Sequence, residues 1–171
     1  MLTIVSTGFE GPEREALDVA YILHHPWRGC APAGRSGAFE RIPDAYFTGE
    51  RGGALVETTS SRPAQARFTN AREADATLVL CEQEKFIPAT GKRIMTFLRK
   101  LNGQYKVADP FKTYEVQQVV RWICTHEIST LNICSDPRKP DDPFTKRAHI
   151  FLRDIVTYSG IHETHGVKIW T

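Results

Sequence analysis

Short runs of apolar residues alternate with longer segments of helical periodicity along most of this chain, and that alternation limits the folds it can adopt. Residues 2–6, 76–81 and 130–134 have the apolar character of strands buried on both faces. Residues 12–23 and 113–127 carry apolar side chains at the spacing of a helix that buries one face. Strands that alternate with helices pair in parallel. The sequence therefore predicts an α/β domain with a mainly parallel sheet.

The remaining predicted elements continue the same order. Further strands are predicted at 27–30, 54–57 and 105–108, and further helices at 62–74, 91–101 and 142–155. We expect a single domain over residues 1–156, because 171 residues is close to the usual size of one domain. Residues 157–171 are expected to form a polar C-terminal tail, in which 167–170 could add an edge strand.

The composition excludes several classes of protein. Hydrophobic residues make up 41% of the chain and charged residues 25%, which is typical of a globular domain and not of a disordered chain or a fibre. No apolar run approaches the roughly 18 residues that a membrane-spanning helix needs. The N-terminus lacks the features of a signal peptide, so we expect a cytoplasmic protein. The net charge of +2 does not indicate a nucleic-acid partner.

The cysteines do not indicate a metal site or disulfides. Cys30, Cys81, Cys124 and Cys134 are far apart and form no CxxC pair, whereas zinc sites have closely spaced ligand pairs. Most of them lie in or beside apolar segments. We therefore expect buried free thiols, as in a reducing compartment.

Ligands of parallel α/β sheets bind beyond the carboxyl ends of the strands, which directs attention to the loops at 6–12, 31–43, 82–92 and 135–143. In the first of these, Gly8 and Gly11 precede a predicted helix, whose free N–H groups favour an anion. The signal is weak because the full GxGxxG pattern is missing, and a plain strand-to-helix turn explains it equally well.

The other three loops carry cations. Arg35, the pair Lys92 and Arg93, and Arg138 each follow a predicted strand. Any one of these side chains could simply be solvated. Together, at one edge of the sheet, they favour a site for a phosphate or a carboxylate.

No catalytic group or metal site follows from the spacing of the titratable residues. Glu82 and Glu84 follow a strand and could act as acid or base, but solvated carboxylates are the simpler interpretation. His162 and His165 could chelate a metal ion, but no third ligand is indicated. We therefore assign no catalytic residue and no metal ligand, and we favour a binding protein over an enzyme.

Residues 7–20 read TGFEGPEREALDVA, residues 29–35 read GCAPAGR and residues 42–46 read IPDAY. They resemble the motifs GGQTGxDRxALDxA, GWCPKGR and IPxxY of the putative molybdenum carrier proteins. Three later segments complete the resemblance, which extends from residue 2 to about residue 156. They are NAREADATLV at 70–79, GKRIMT at 91–96 and LNICSDPR at 131–138, similar to that family's NVxDSDATLI, GGTxxT and LNVAGPR.

This resemblance implies a Rossmann-like three-layer sandwich from a superfamily of nucleotide-binding proteins that includes the lonely-guy phosphoribohydrolases. The turn at 6–12 and the segment 91–93 would hold a phosphate, Arg35 and Arg138 would add charge, and Asn70 and Asp75 would orient a loop or a sugar. The ligand-binding residues so predicted are Thr7, Gly8, Gly11, Arg14, Arg35, Asn70, Asp75, Gly91, Lys92, Arg93 and Arg138.

The chain departs from the family pattern in the same loops. Thr7 and Lys92 stand where the pattern has glycine, and Thr96 or Phe97 stands near the place of a glutamate in the phosphoribohydrolases. Our leading hypothesis is a protein that binds a nucleotide, a similar phosphorylated molecule or a molybdenum-related oxyanion. The alternatives are a nucleotide N-glycosidic hydrolase and a degenerate interaction module without a ligand. We expect no efficient phosphoribohydrolase activity and no membrane partner, and a homo-oligomer is left open.

Overall fold

The computed structural model of this chain describes residues 1–49, 52–83 and 87–165, with side chains described as far as residue 160. Across these residues, six parallel strands form one sheet in the order β3-β2-β1-β6-β4-β5. The strands are β1 (Thr3–Val5), β2 (Trp27–Ala31), β3 (Gly53–Glu57), β4 (Ala76–Leu80), β5 (Gln104–Ala108) and β6 (Thr130–Cys134). The predicted parallel sheet is confirmed.

Helices cover both faces of this sheet and give the predicted three layers. They are α1 (Pro12–Ile22), α2 (Pro63–Glu73), α3 (Ala89–Lys100), α4 (Glu115–Thr125) and α5 (Pro143–His165). α5 packs against α1 and α4 on one face, and α2 packs against α3 on the other. Two short 3₁₀ turns, Ala33–Arg35 and Asp44–Phe47, lie in the irregular stretch between β2 and β3.

Each face has its own hydrophobic core. Ile4 and Leu131 from the sheet are buried with Leu17 of α1 and Phe151 of α5 on the larger side. On the smaller side Val79 of β4 is buried with residues of α2 and α3. β4 is buried at every position, as expected for a strand covered on both faces.

The C-terminal part differs from the expectation. α5 continues through residue 156 to His165, so residues 157–165 extend the last helix. The predicted edge strand at 167–170 lies outside the described residues. All four cysteines are thiols outside any disulfide, but only Cys81 and Cys134 are buried, while Cys30 is half-buried and Cys124 is exposed. No helix in the described parts of the chain has the length and apolar character needed to cross a bilayer.

Truncating Leu152 should test the larger core. Leu152 is 1% exposed, and Leu152→Ala should lower the free energy of unfolding by about 2–5 kcal/mol through lost burial and a residual cavity. The control is Ile150→Ala, because Ile150 lies two residues away on α5 but is 38% exposed. Urea unfolding measures both. Equal losses would contradict this assignment of the buried face.

Candidate functional site

The strand order places a crevice at the carboxyl ends of β4 and β6. These two strands are neighbours, but the helix after β4 is α3 on one face, and the helix after β6 is α5 on the other. The chain therefore leaves the two strands in opposite directions, which opens a gap where ligands of parallel sheets bind. A cleft of about 280 Å³ occupies this position, and we name it the strand-end cleft. Its walls include Glu82, Gln83, Ser135, Asp136, Arg138 and Phe144.

The strand-end cleft contains charges of both signs. The Arg138 guanidinium lies over the Phe144 ring at 4.6 Å from its centroid, and its Nη1 is 3.5 Å from Oδ1 of Asp142. The Arg138 side chain is 34% exposed, so this cation remains accessible to a ligand. Glu82 and Asp136 supply carboxylates in the same cleft. One accessible guanidinium and two carboxylates can bind an anionic group together with hydroxyl or amino groups.

A residue in an unfavourable backbone conformation lies in the wall of the cleft. Gln83 has φ +63, which is uncommon for a residue other than glycine. Its backbone N–H donates to Oδ2 of Asp109 at 3.2 Å, and its carbonyl accepts from the Cys81 thiol at 3.7 Å. Residues held in this way cluster at binding sites. His24, Arg35, Asn102 and Glu127 also have positive φ and lie outside the cleft, so the conformation of Gln83 does not by itself select this site.

A buried ion pair lies beside the cleft and joins α1 and α2 to the loops after β1 and β6. The carboxylate of Glu13, which is 1% exposed, accepts from Nε of Arg67 at 3.0 Å and from the Ser135 N–H at 3.2 Å. The Thr7 hydroxyl donates to its second oxygen. Arg67 also donates to the Ser135 carbonyl at 3.4 Å and stacks on Phe9 at 4.6 Å. Thr7, a predicted ligand contact, therefore uses its side chain inside the protein.

Glu10 is also used internally. Its carboxylate points into the loop at 37–40. There it accepts from the backbone N–H groups of Ala38 at 2.7 Å, Phe39 at 3.2 Å and Glu40 at 2.7 Å. Burial alone would raise the pKa of the Glu10 carboxyl, but these N–H groups stabilise its charged form, and its pKa lies below the ordinary value.

Gly8 and Gly11 have positive φ values, and packing accounts for both. A Cβ at Gly8 would lie 3.1–3.3 Å from side-chain atoms of three core residues. A Cβ at Gly11 would lie 2.8 Å from the backbone nitrogen of Arg138. Arg14, also predicted in the site, donates from Nε to the Gly8 carbonyl at 3.2 Å and pairs with Glu40. The glycines thus bring the loop after β1 against the loop after β6.

Two of the predicted ligand-binding residues, Arg35 and Asn70, make their contacts near β2 and β3, outside the strand-end cleft. Arg35 pairs with Glu57 at 2.8 Å and Asp44 at 2.7 Å and lies 4.1 Å over the Phe47 ring. The Asn70 side chain accepts from the Cys30 N–H at 2.7 Å and donates to the Cys30 carbonyl at 3.1 Å. In these contacts both side chains stabilise the framework.

Asp75 lies at the opposite edge of the sheet, because it immediately precedes β4. Its Oδ2 accepts from the N–H groups of Ser129 and Thr130 at 2.9 and 2.8 Å and from the Ser129 hydroxyl at 2.7 Å. The structure therefore does not bring Asp75 together with the loops at the carboxyl ends.

The start of α3 holds three further predicted residues. Gly91 is buried, and a Cβ added there would lie 2.7 Å from the Val79 side chain. Lys92 is exposed. Arg93 lines a second hollow of about 250 Å³ between the starts of α2 and α3, together with Thr90 and Arg67. Of the predicted residues, Arg138 lines the strand-end cleft, and Gly11 packs against the backbone of the loop that carries Arg138.

Sequence reasoning missed several residues that shape this edge. Glu13, Arg67, Gln83 and Asp136 were not singled out as site residues. Gln83 and Asp136 directly follow strands, and that position was the available signal. Arg67 lies on a helix 54 residues from Glu13, and no local sequence pattern predicts that the two side chains pair.

Comparison with known proteins agrees with this architecture. The sequence model of the circularly permutated YpsA SLOG family matches residues 4–156, and the chain belongs to this family. It is also similar to the solved structure of a putative molybdenum carrier protein from Syntrophus aciditrophicus SB, with a TM-score of 0.76 and 26% identity. That match covers 91% of this chain and 94% of the other. No match was found among curated proteins. The family resemblance noted in the sequence is confirmed.

Replacing Glu10 should change the pH dependence of stability. Glu10→Gln should lower the free energy of unfolding at pH 7 by about 1–3 kcal/mol, because three backbone N–H groups lose the charged acceptor that the buried carboxylate provides. The pKa of Glu10 in the folded state lies below the ordinary 4.5. Its stabilisation is therefore complete above that pH and is lost as the pH falls through the folded-state pKa.

Urea unfolding between pH 7 and pH 3 should show the difference between wild type and Glu10→Gln shrinking towards acid. Glu127→Gln, which changes an exposed carboxylate just after α4, is the control and should have little effect at any pH. A difference for Glu10→Gln that stays constant over this range would contradict the assigned role.

Gly11→Ala and Gly49→Ala separate two costs of adding a side chain. Both residues have positive φ, +91 and +75, but a Cβ at Gly49 meets nothing within 4 Å. Gly49→Ala should cost about 1–2 kcal/mol of stability for the left-handed conformation alone. Gly11→Ala should cost more, because its Cβ would push against the backbone of Arg138. Denaturant unfolding compares them, and equal losses would show that the two loops separate freely.

Proposed function

We propose that the protein binds a small anionic ligand, a phosphorylated molecule or an oxyanion, in the strand-end cleft. The observation that carries this proposal is the position of Arg138. Its guanidinium is held on the Phe144 ring in the gap where β4 and β6 send their chains to opposite faces. A guanidinium is suited to bidentate contact with phosphate and related anions.

The neighbouring carboxylates refine the ligand class. Glu82 and Asp136 accept hydrogen bonds and repel a second anionic group. A ligand with one anionic group and several hydroxyl groups, such as a nucleoside monophosphate, can bind Arg138 through the anionic group and the two carboxylates through its hydroxyl groups. A bare oxyanion such as molybdate satisfies Arg138 alone. The phosphorylated ligand is therefore the preferred form of the proposal.

The solved relative's name mentions molybdenum. Within the described residues, no three His, Cys, Asp or Glu side chains lie together as a metal-ligating group. Burial raises the pKa of the Cys134 thiol far above its ordinary value and so disfavours the thiolate that binds metals. A molybdenum species would therefore bind here as an oxyanion through donors such as Arg138.

Binding without cleavage is the activity that we propose. Hydrolysis of an N-glycosidic bond needs an acid or a base within reach of the reacting atoms. Thr96, near the place of the glutamate in the phosphoribohydrolases, donates its hydroxyl to the Lys92 carbonyl at 2.9 Å within its own helix. Glu82 and Asp136 are the carboxylates whose position in the cleft favours the alternative. Their replacement therefore tests the hydrolase hypothesis.

Calorimetric titration with nucleoside monophosphates, phosphate and molybdate should find a ligand whose affinity depends on Arg138. Arg138→Gln should weaken binding about 10- to 150-fold, the range for a lost charge-assisted hydrogen bond. Arg153→Gln is the matched control, because Arg153 is another partly exposed arginine of an ion pair, on the outer side of α5. Equal affinities for the three proteins would contradict the site. Free base released from a monophosphate, and lost in Glu82→Gln or in Asp136→Asn, would instead establish the hydrolase.

A further inference from the structure

The geometry points to a second binding surface: the outer face of α2 and α3, which we infer binds single-stranded nucleic acid. We call it the α2–α3 face, and define it as residues 62–73 and 89–100. It covers one side of the sheet, whereas the strand-end cleft lies at the sheet's carboxyl edge. The inference therefore does not depend on the ligand proposed for that cleft.

Basic residues are concentrated on this face. It carries seven of the 22 lysines and arginines of the chain and one of the 20 acidic residues, so the remainder of the protein is net acidic. The cations are Arg62, Arg67 and Arg72 with α2, and Lys92, Arg93, Arg99 and Lys100 on α3. All except Arg67 are exposed.

Few of these charges are neutralised. Arg67 is paired with the buried Glu13, and Arg72 lies 3.6 Å from Glu73, the one acid of the face. Arg99 donates to the hydroxyl of Tyr105 at 2.8 Å, a neutral partner that leaves its charge intact. Clustered cations of this kind attract the phosphates of a nucleic acid and release its bound counterions.

Aromatic rings lie among the cations. Phe68 of α2 and Phe97 of α3 pack with ring centroids 4.8 Å apart, and both are only partly buried. They line an open groove of about 560 Å³ together with Arg62 and Arg72. Cations beside accessible aromatic rings form the usual surface for single strands, because bases stack on the rings while phosphates meet the cations.

Other polyanions fit this face less well. Among the described residues, Leu101 after α3 is the one strongly exposed large apolar side chain that adjoins this face, so the face offers little to insert into a lipid bilayer. A duplex hides its base faces and would leave Phe68 and Phe97 without a role. An acidic polypeptide would use the cations but not the rings. The single strand is the partner that uses both.

Fluorescence anisotropy with a labelled oligothymidylate tests the inference on the full-length protein. At 50 mM salt we expect saturable binding that weakens as salt rises. The slope of log K against log salt should be near −3, as for about four phosphate contacts on a single strand. Binding to a duplex of equal length, to polyglutamate or to anionic vesicles at the same affinity would overturn the choice of partner.

Matched variants then locate the surface. The triple variant Arg62→Gln, Arg93→Gln, Lys100→Gln should weaken binding at least tenfold and make the salt slope shallower. The control triple variant is Arg121→Gln, Lys146→Gln, Arg153→Gln. It removes the same charge from exposed positions of α4 and α5 and should bind like wild type. Equal weakening by both triples would show that net charge alone is responsible, and would overturn the proposed face.

Phe68→Leu tests the role of the rings. Leucine keeps an apolar side chain against Phe97 but removes the stacking surface, so affinity should fall about 5- to 150-fold, the range for one lost stacking contact. The salt slope should stay the same, because no charge is changed. Thermal unfolding checks that the variant is folded. Unchanged affinity in a folded variant would overturn the stacking part of the inference.

Discussion

The buried ion pair between Glu13 and Arg67 holds the carboxyl edge of this protein together. Glu13 belongs to α1 on one face of the sheet, and Arg67 belongs to α2 on the other, so their contact passes around the end of the sheet. The same carboxylate also binds the N–H of Ser135 after β6 and the hydroxyl of Thr7 after β1. Removing one partner of such a pair leaves an uncompensated buried charge, which costs about 3–5 kcal/mol. The positions of the loops after β1 and β6, beside the strand-end cleft, therefore depend on this contact.

The sheet and its helices could be predicted because each strand is a short apolar run, which is the sequence pattern of a strand buried on both faces. The site could be predicted only in part. Gly8 and Gly11 looked like residues that admit a phosphate to the backbone. The same glycines are equally suited to the close packing that they make here, and the sequence does not distinguish the two uses. Arg35 and Asn70 find partners on other elements, and no local pattern reveals those pairings.

The distribution of charge is a second property that the sequence conceals. A net charge of +2 describes a nearly neutral molecule. The fold sorts those charges, because α2 and α3 are adjacent in space although the buried strand β4 separates them along the chain. The excess of cations on their common side and the excess of acids elsewhere become visible only when the layers are assembled. Asp75 is a different case, because its place directly before the predicted strand 76–81 already puts it at the amino ends of a parallel sheet.

The contact of Glu10 with the loop at 37–40 has a consequence for competition with solutes. Three consecutive N–H groups that converge on one carboxylate could also hold a free anion of similar size. Glu10, however, is tethered within the same chain, and a tethered group acts at an effective concentration of millimolar or above. A metabolite at ~10 µM would thus face at least a hundredfold disadvantage for this loop before any difference in intrinsic affinity is counted. Glu10 therefore holds the loop at 37–40 in place of a dissolved anion.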